Sequence, residues 1–230
     1  MKLSTDGAWL VEARKVLSPN CDARPSGCDI SLIVVHGISL PPGEYGGSWI
    51  DDLFTNSLDT SAHPYFAEIE GMRVSSHLLI RRSGELVQYV PFTDRAWHAG
   101  SSCYRNRESC NDFAIGIELE GCDDQPYEDT QYRQLAGAIA ALRDRFPGLG
   151  AEDVVGHSDI APGRKTDPGP AFDWDRLRRL LACLPARAGC SVQQYDTFIS
   201  TFGDSGRSFA DASARIPPLQ SIPGLHRLDA

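Results

Sequence analysis

The chain has 230 residues, 41% hydrophobic and 23% charged, with a formal net charge of -9. That length suits one domain with a core of its own, and the acidic balance offers no cluster of Lys and Arg to phosphate backbones or anionic membranes, so nucleic-acid and membrane binding are set aside. No run approaches a membrane span and the first residues carry no apolar signal region, so a cytoplasmic protein with its seven cysteines as free thiols is expected.

Residues 1–28 are polar and loop-like, broken by Pro19, Pro25 and Gly27, with a short strand or turn at 11–17. Residues 29–36 run apolar without alternation, rich in Ile and Val, which suggests a strand buried on both faces. His36 stands at its carboxyl end, where open α/β sheets bind ligands. Residues 39–66 read as a long structured loop with a stiff Pro- and Gly-rich entry and a short helix at 48–54. Loops of that length in a compact domain are usually functional. A strand at 74–82, a turn at 82–85 and a second arm at 86–90 form a hairpin.

In residues 112–120, Phe113, Ile115, Ile117 and Leu119 share one face of a strand. Ala114, Gly116, Glu118 and Glu120 share the other, so this strand can point a carboxylate at a cleft. Leu135, Ile139, Leu142 and Phe146 recur at helical spacing over 130–146, and Pro147-Gly148 stops that helix. Residues 154–155 form a short strand feeding a Pro-rich loop. Asp173 caps a last helix with the stripe Trp174, Leu177, Leu180, Leu181 and Leu184, ended by Pro185. Alternating strands and helices give an α/β class, a central mixed β-sheet flanked by helices. The pattern stops there, so the chain divides into a domain at 1–185 and a C-terminal extension at 186–230, partly ordered or disordered.

The loop at 154–170 reads Val-Val-Gly-His-Ser-Asp-Ile-Ala-Pro-Gly-Arg-Lys-Thr-Asp-Pro-Gly-Pro. Pro162, Pro168 and Pro170 remove donors and fix the backbone, so it is neither a helix nor a central strand. Doubling back, it could aim His157 and Asp167 at one point; a surface loop with unrelated polar residues is the competing reading. With His36, these make two imidazoles and one carboxylate, a set that binds zinc and leaves a fourth position for water, in a cleft at the strand ends. Zinc acidifies that water and polarises a carbonyl. Glu118 is the candidate to move the water's proton, with Glu120 second. Lys165 can face the oxyanion that grows as an amide is attacked. The parts fit zinc-dependent amide hydrolysis. His77, in mid-strand, reads as a core or supporting residue, and His98, beside Trp97 in a loop, as either a pocket residue or a bystander.

Five stretches carry a resemblance: Ser39-Leu-Pro-Pro-Gly-Glu-Tyr-Gly-Gly, Gln88-Tyr-Val-Pro-Phe, Arg95-Ala-Trp-His-Ala-Gly, Ile115-Gly-Ile-Glu-Leu-Glu-Gly and Arg164-Lys-Thr-Asp-Pro-Gly-Pro-Ala-Phe-Asp-Trp. In order, from about Trp9 to Leu184, the chain resembles AmpD-type N-acetylmuramoyl-L-alanine amidases, relatives of peptidoglycan-recognition proteins and phage amidases. The resemblance implies a cytosolic zinc enzyme of cell-wall recycling. Such an enzyme cuts the amide between (anhydro-)N-acetylmuramic acid and L-alanine, so a muropeptide is the expected partner, and the chain is expected to be a monomer. It implies metal ligands at His36, His157 and Asp167, catalytic residues at Glu118 and Lys165, a peptide-binding Arg73 and a sugar-packing Trp97. Two positions depart from the pattern. Gly37 stands where such sequences commonly have Asn, and Ser109 where they often have Arg; each change would remove a substrate contact. The alternatives are a recognition domain that binds without cutting, which would lack a ligand, and an exported amidase, which would carry a signal sequence.

Overall fold

The structure, a computed structural model, describes residues 1–184; the extension expected at 186–230 lies outside the described residues. In chain order the strands are β1 (Arg14–Lys15), β2 (Cys21–Ala23), β3 (Leu32–Ile38), β4 (Leu78–Ile80), β5 (Leu86–Gln88), β6 (Asp94–Ala96), β7 (Cys103–Tyr104), β8 (Arg107–Glu108), β9 (Ala114–Glu120) and β10 (Val154–Gly156). The helices are α1 (Trp49–Phe54), α2 (Pro64–Glu68), α3 (Asp129–Arg145), α4 (His157–Ile160) and α5 (Trp174–Cys183). Six strands form one sheet in the order β1-β5-β4-β9-β3-β10. Strand β3 runs parallel to both β9 and β10, and β4 is parallel to β9 but antiparallel to β5, so the sheet is mixed.

The apolar run at 29–36 becomes β3 because branched side chains fill both faces of an interior strand. Leu32, Ile33, Val34 and Val35 are all fully buried. On β9 the alternation sorts the residues. Ile115, Ile117 and Leu119 join the core cluster that includes Leu135, Ile139 and Leu142 of α3. Helix α3 starts at a capping box, where the Glu128 backbone N–H donates to Gln131 Oε1 at 2.9 Å. The Gln131 amide then donates to the carbonyls of Ile80 and Glu120 at 3.0 Å each, fastening the helix to the ends of β4 and β9. Asp173 caps α5 by accepting from the Arg176 backbone at 2.8 Å, and Leu177 packs into the same cluster.

The strand expected at 74–82 is shorter than its pattern suggests. Its first residues bond singly, Ser75 N–H to the Trp97 carbonyl and His77 N–H to the Gly116 carbonyl, rather than in a ladder. The long loop at 39–66 holds a second helix besides α1. His63 caps α2 by accepting from Tyr65 N–H at 3.1 Å, with Pro64 just inside the helix.

A buried charge cluster ties this loop to the sheet. Arg81 donates to Asp51 on α1 at 3.0 Å and to Glu120 at the end of β9 at 3.2 Å. Glu120 also accepts from Gly46 N–H at 2.7 Å and from Arg82 N–H at 3.1 Å. The Tyr89 hydroxyl donates to the same oxygen of Asp51. Removing one partner of a buried pair leaves the other charge uncompensated, at a cost of about 3–5 kcal/mol. Glu120→Ala should therefore lower the unfolding free energy by about 3–5 kcal/mol in urea titrations. An unchanged midpoint would mean that Arg81 finds another anion or water.

Candidate active site

Three adjacent parallel strands carry chemistry to one end of the sheet. In the β3–β9 register His36 stands opposite Glu118, and in the β10–β3 register Gly156 stands opposite Val35. The next residue, His157, begins α4, a four-residue helix inside the stretch expected to hold none, possible because its first proline comes only at 162. The loop beyond α4 folds back over it. The Ser158 backbone donates to the Asp167 carbonyl at 3.0 Å, and the Tyr127 hydroxyl donates to the Pro168 carbonyl at 2.9 Å.

The result is a small triangle. His36 Nδ1 and His157 Nδ1 are 3.0 Å apart. Asp167 Oδ2 lies 3.1 Å from His157 Nδ1 and 3.3 Å from His36 Nδ1. Ligands about 2.0–2.1 Å from a tetrahedral zinc ion stand roughly 3.3 Å from one another, so the spacing and the donor types fit that ion. The protonation states agree. Burial, and then the neighbouring His157, lower the His36 pKa to about 4, so its ring is neutral near pH 7. Burial alone would raise the Asp167 carboxyl, but its hydrogen bonds to His157 and His36 outweigh that and hold it below the usual carboxylate range.

A cleft of about 240 Å³ opens beside the triangle, lined also by Glu118, Lys165, Arg73 and Trp97. Every residue that the resemblance assigns to the site thus lines one space. Glu118 and Lys165 are buried there, Trp97 is half-buried and Arg73 is exposed. Burial pushes the Glu118 carboxyl well above its ordinary range; the charge of Asp167 adds to this and Lys165 partly offsets it. Glu120 does not line the cleft; its oxygens serve Arg81, Gly46 and Arg82.

His77 is fully buried, with Nδ1 accepting from Gly116 N–H at 3.0 Å and Nε2 at 3.1 Å from the Asp94 carbonyl. His98 is also buried, its Nδ1 2.9 Å from His36 Nε2. No periodicity or spacing marks Arg164, a cleft residue that donates to the carbonyls of Ala99 and Ser101 at 2.7 Å each. Nor does any mark Asn111, whose side-chain oxygen accepts from the backbones of His98 and Ala99 at 3.0 and 2.8 Å. At Gly37 a Cβ would run into the Tyr127 hydroxyl, so here the phenol occupies the space a side chain would need. Ser109 is exposed, adopts a left-handed conformation (φ 60°) and does not line the cleft.

The profile of the N-acetylmuramoyl-L-alanine amidase family matches residues 26–170. A curated relative from Salmonella typhimurium (strain SL1344), named 1,6-anhydro-N-acetylmuramyl-L-alanine amidase AmpD, is 62% identical over 177 residues, covering 77% of this chain and 94% of its own. The protein of the same name from Haemophilus influenzae is 53% identical over 167 residues, covering 73% of this chain and 91% of its own. The crystal structure of a Se-Met AmpD derivative superposes with a TM-score of 0.76 at 60% identity, covering 79% of this chain and 99% of that one.

The raised Glu118 carboxyl fixes the sign of a pH effect. A carboxyl whose pKa is higher in the folded than in the unfolded chain binds more protons when folded. Its stabilising contribution is complete below the unfolded value and is lost as pH rises toward the folded one. In metal-free protein, Glu118→Gln should gain stability relative to the parent between about pH 5 and about pH 8. Urea midpoints of the two proteins at both pH values test this, and parallel midpoints would contradict it.

Proposed function

The chain belongs to the N-acetylmuramoyl-L-alanine amidase family, and from that premise we propose that it is a zinc-dependent 1,6-anhydro-N-acetylmuramoyl-L-alanine amidase. It hydrolyses the amide joining anhydro-N-acetylmuramic acid to L-alanine in muropeptides, in the cytoplasm, as a step of cell-wall recycling. The observation that carries this reading is the triangle of His36, His157 and Asp167 with Glu118 and Lys165 buried in the same cleft. The names of the curated relatives support the bond and the anhydro sugar. Among the described residues no helix is long and apolar enough to cross a membrane.

His36, His157 and Asp167 would hold the zinc. When bound, the ion acidifies a water molecule and polarises the scissile carbonyl. Glu118 takes the proton of the attacking water and returns it to the leaving amine of L-alanine. A carboxyl with raised proton affinity suits both halves of that transfer. Lys165 faces the carbonyl oxygen as it gains negative charge, an interaction stronger in the transition state than in the ground state. Trp97 offers a flat ring to the sugar, and Arg73 a guanidinium to a carboxylate of the peptide.

Zinc-loaded protein incubated with anhydro-muramoyl tripeptide should release the free tripeptide, identified by mass; intact peptide after prolonged incubation would sink the reading. His157→Ala should lose zinc in metal analysis while keeping most of the fold. Glu118→Gln should keep zinc and lose about 10²–10⁴-fold in kcat. Lys165→Ala should lose about 10²–10³-fold in kcat with zinc content and substrate Kd near those of the parent. Joint loss of zinc and folding in Lys165→Ala would instead make Lys165 a structural residue.

A further inference from the structure

We propose that His98 is a positioning residue for the metal centre. Its Nδ1 stands where it can accept a hydrogen bond from Nε2 of His36, the bond required by the tautomer that leaves His36 Nδ1 bare for the ion. The inference rests on the zinc reading above.

The two nitrogens of His36 face different ways. Nδ1 belongs to the triangle, while Nε2 lies 2.9 Å from His98 Nδ1. A neutral imidazole carries one ring proton, and a ring that ligates through Nδ1 carries it on Nε2. That N–H needs an acceptor in a fully buried place, because an unsatisfied buried donor costs about 1–3 kcal/mol. For His157 the acceptor is unambiguous: Nε2 stands 3.4 Å from the Ala99 carbonyl, which can only accept. For His36 the neighbour is a second imidazole, which can accept or donate. The pair therefore has two joint proton arrangements. With His98 bare at Nδ1, its own proton sits on Nε2, a buried nitrogen without a hydrogen-bond partner among the described residues, and His36 is protonated at Nε2 and ready to ligate. With His98 protonated at Nδ1, His36 must carry its proton on Nδ1, inside the triangle, and cannot ligate.

His98 is held for this contact by its surroundings. Asn111 fixes its peptide through two backbone hydrogen bonds. Its ring lies on β9 at Gly116, where a Cβ would come within 2.5 Å of His98 Cγ. The His36 and His98 rings meet edge to face, 5.0 Å between centroids and 86° between planes. The usual outer acceptor of a metal-bound histidine is a carboxylate, a carbonyl or water. A neutral ring in that role adds no second negative charge beside Asp167.

The test uses full-length protein stripped of metal and titrated with zinc against a chromophoric chelator. His98→Leu fills much of the ring's space without an acceptor, whereas His98→Asn keeps an oxygen near the position of Nδ1. Loss of an outer-shell partner typically weakens metal affinity by about 10–100-fold. His98→Leu should show a zinc Kd raised by about that factor, and His98→Asn should recover most of the loss. A folded His98→Leu variant with the parent's zinc Kd would overturn the inference. If His98→Leu does not fold, long-range 1H–15N spectra of the zinc-loaded parent decide the matter. They should show His36 protonated on Nε2 and His98 bare at Nδ1; a proton on His98 Nδ1 would refute it. A parent that binds no zinc would refute the zinc reading and this inference together, whereas a parent that binds zinc alongside an unaffected His98→Leu refutes the inference alone.

Discussion

Nδ1 of His36, Nδ1 of His157 and Oδ2 of Asp167 are three electron-rich atoms held within 3.3 Å of one another. Such atoms repel unless a proton or a cation lies between them, so the scaffold has to hold them together. Two of them sit at or just beyond the ends of parallel strands whose register is locked by backbone hydrogen bonds. The third arrives on a loop fastened by Ser158 and Tyr127. The stabilisation comes from elsewhere: the apolar cluster between the sheet and helices α3 and α5, and the buried fastening of Arg81 to Asp51 and Glu120. The site interrupts a scaffold built on apolar packing, as expected where local rules give way to chemistry.

Much of this was legible in the residues because it rests on periodicity. The β-branched run of β3, the alternation on β9 and the apolar stripes of α3 and α5 each state their own environment. His36 could be picked out because strand ends in α/β sheets face the ligand side. What periodicity cannot encode is the path of a loop. That His157 meets Asp167 depends on turns at 161–170, which residue types alone left open. Glu118 and Glu120 share a face and a strand, so alternation treats them alike. Only the neighbours separate them: the pocket in front of one, and Arg81 with Gly46 around the other. Helix α2 was missed because five residues carry no periodic signal and its cap is a histidine.

Membership of the amidase family and the geometry meet at the departures. At Gly37 the structure puts the Tyr127 hydroxyl where a Cβ would go, and that hydroxyl also holds the Pro168 carbonyl. The small residue and the phenol thus form one packing unit beside Asp167. A larger residue at position 37 has to move the same group that steadies the loop.

The sheet order has a consequence for how the chain is made. Strand β3 comes early in the sequence, yet both its neighbours come from much later, and its His36 meets a partner 121 residues away. Parallel pairing over such separations is slow, because a long loop must close before any contact rewards it. During synthesis Leu32, Ile33, Val34 and Val35 therefore emerge from the ribosome with neither flanking strand available. The triangle closes only after β10 and Asp167 have appeared. The site is thus complete only once residue 167 has been made, and a chain stalled before residue 154 would present an uncovered apolar strand to chaperones and proteases instead of a finished site.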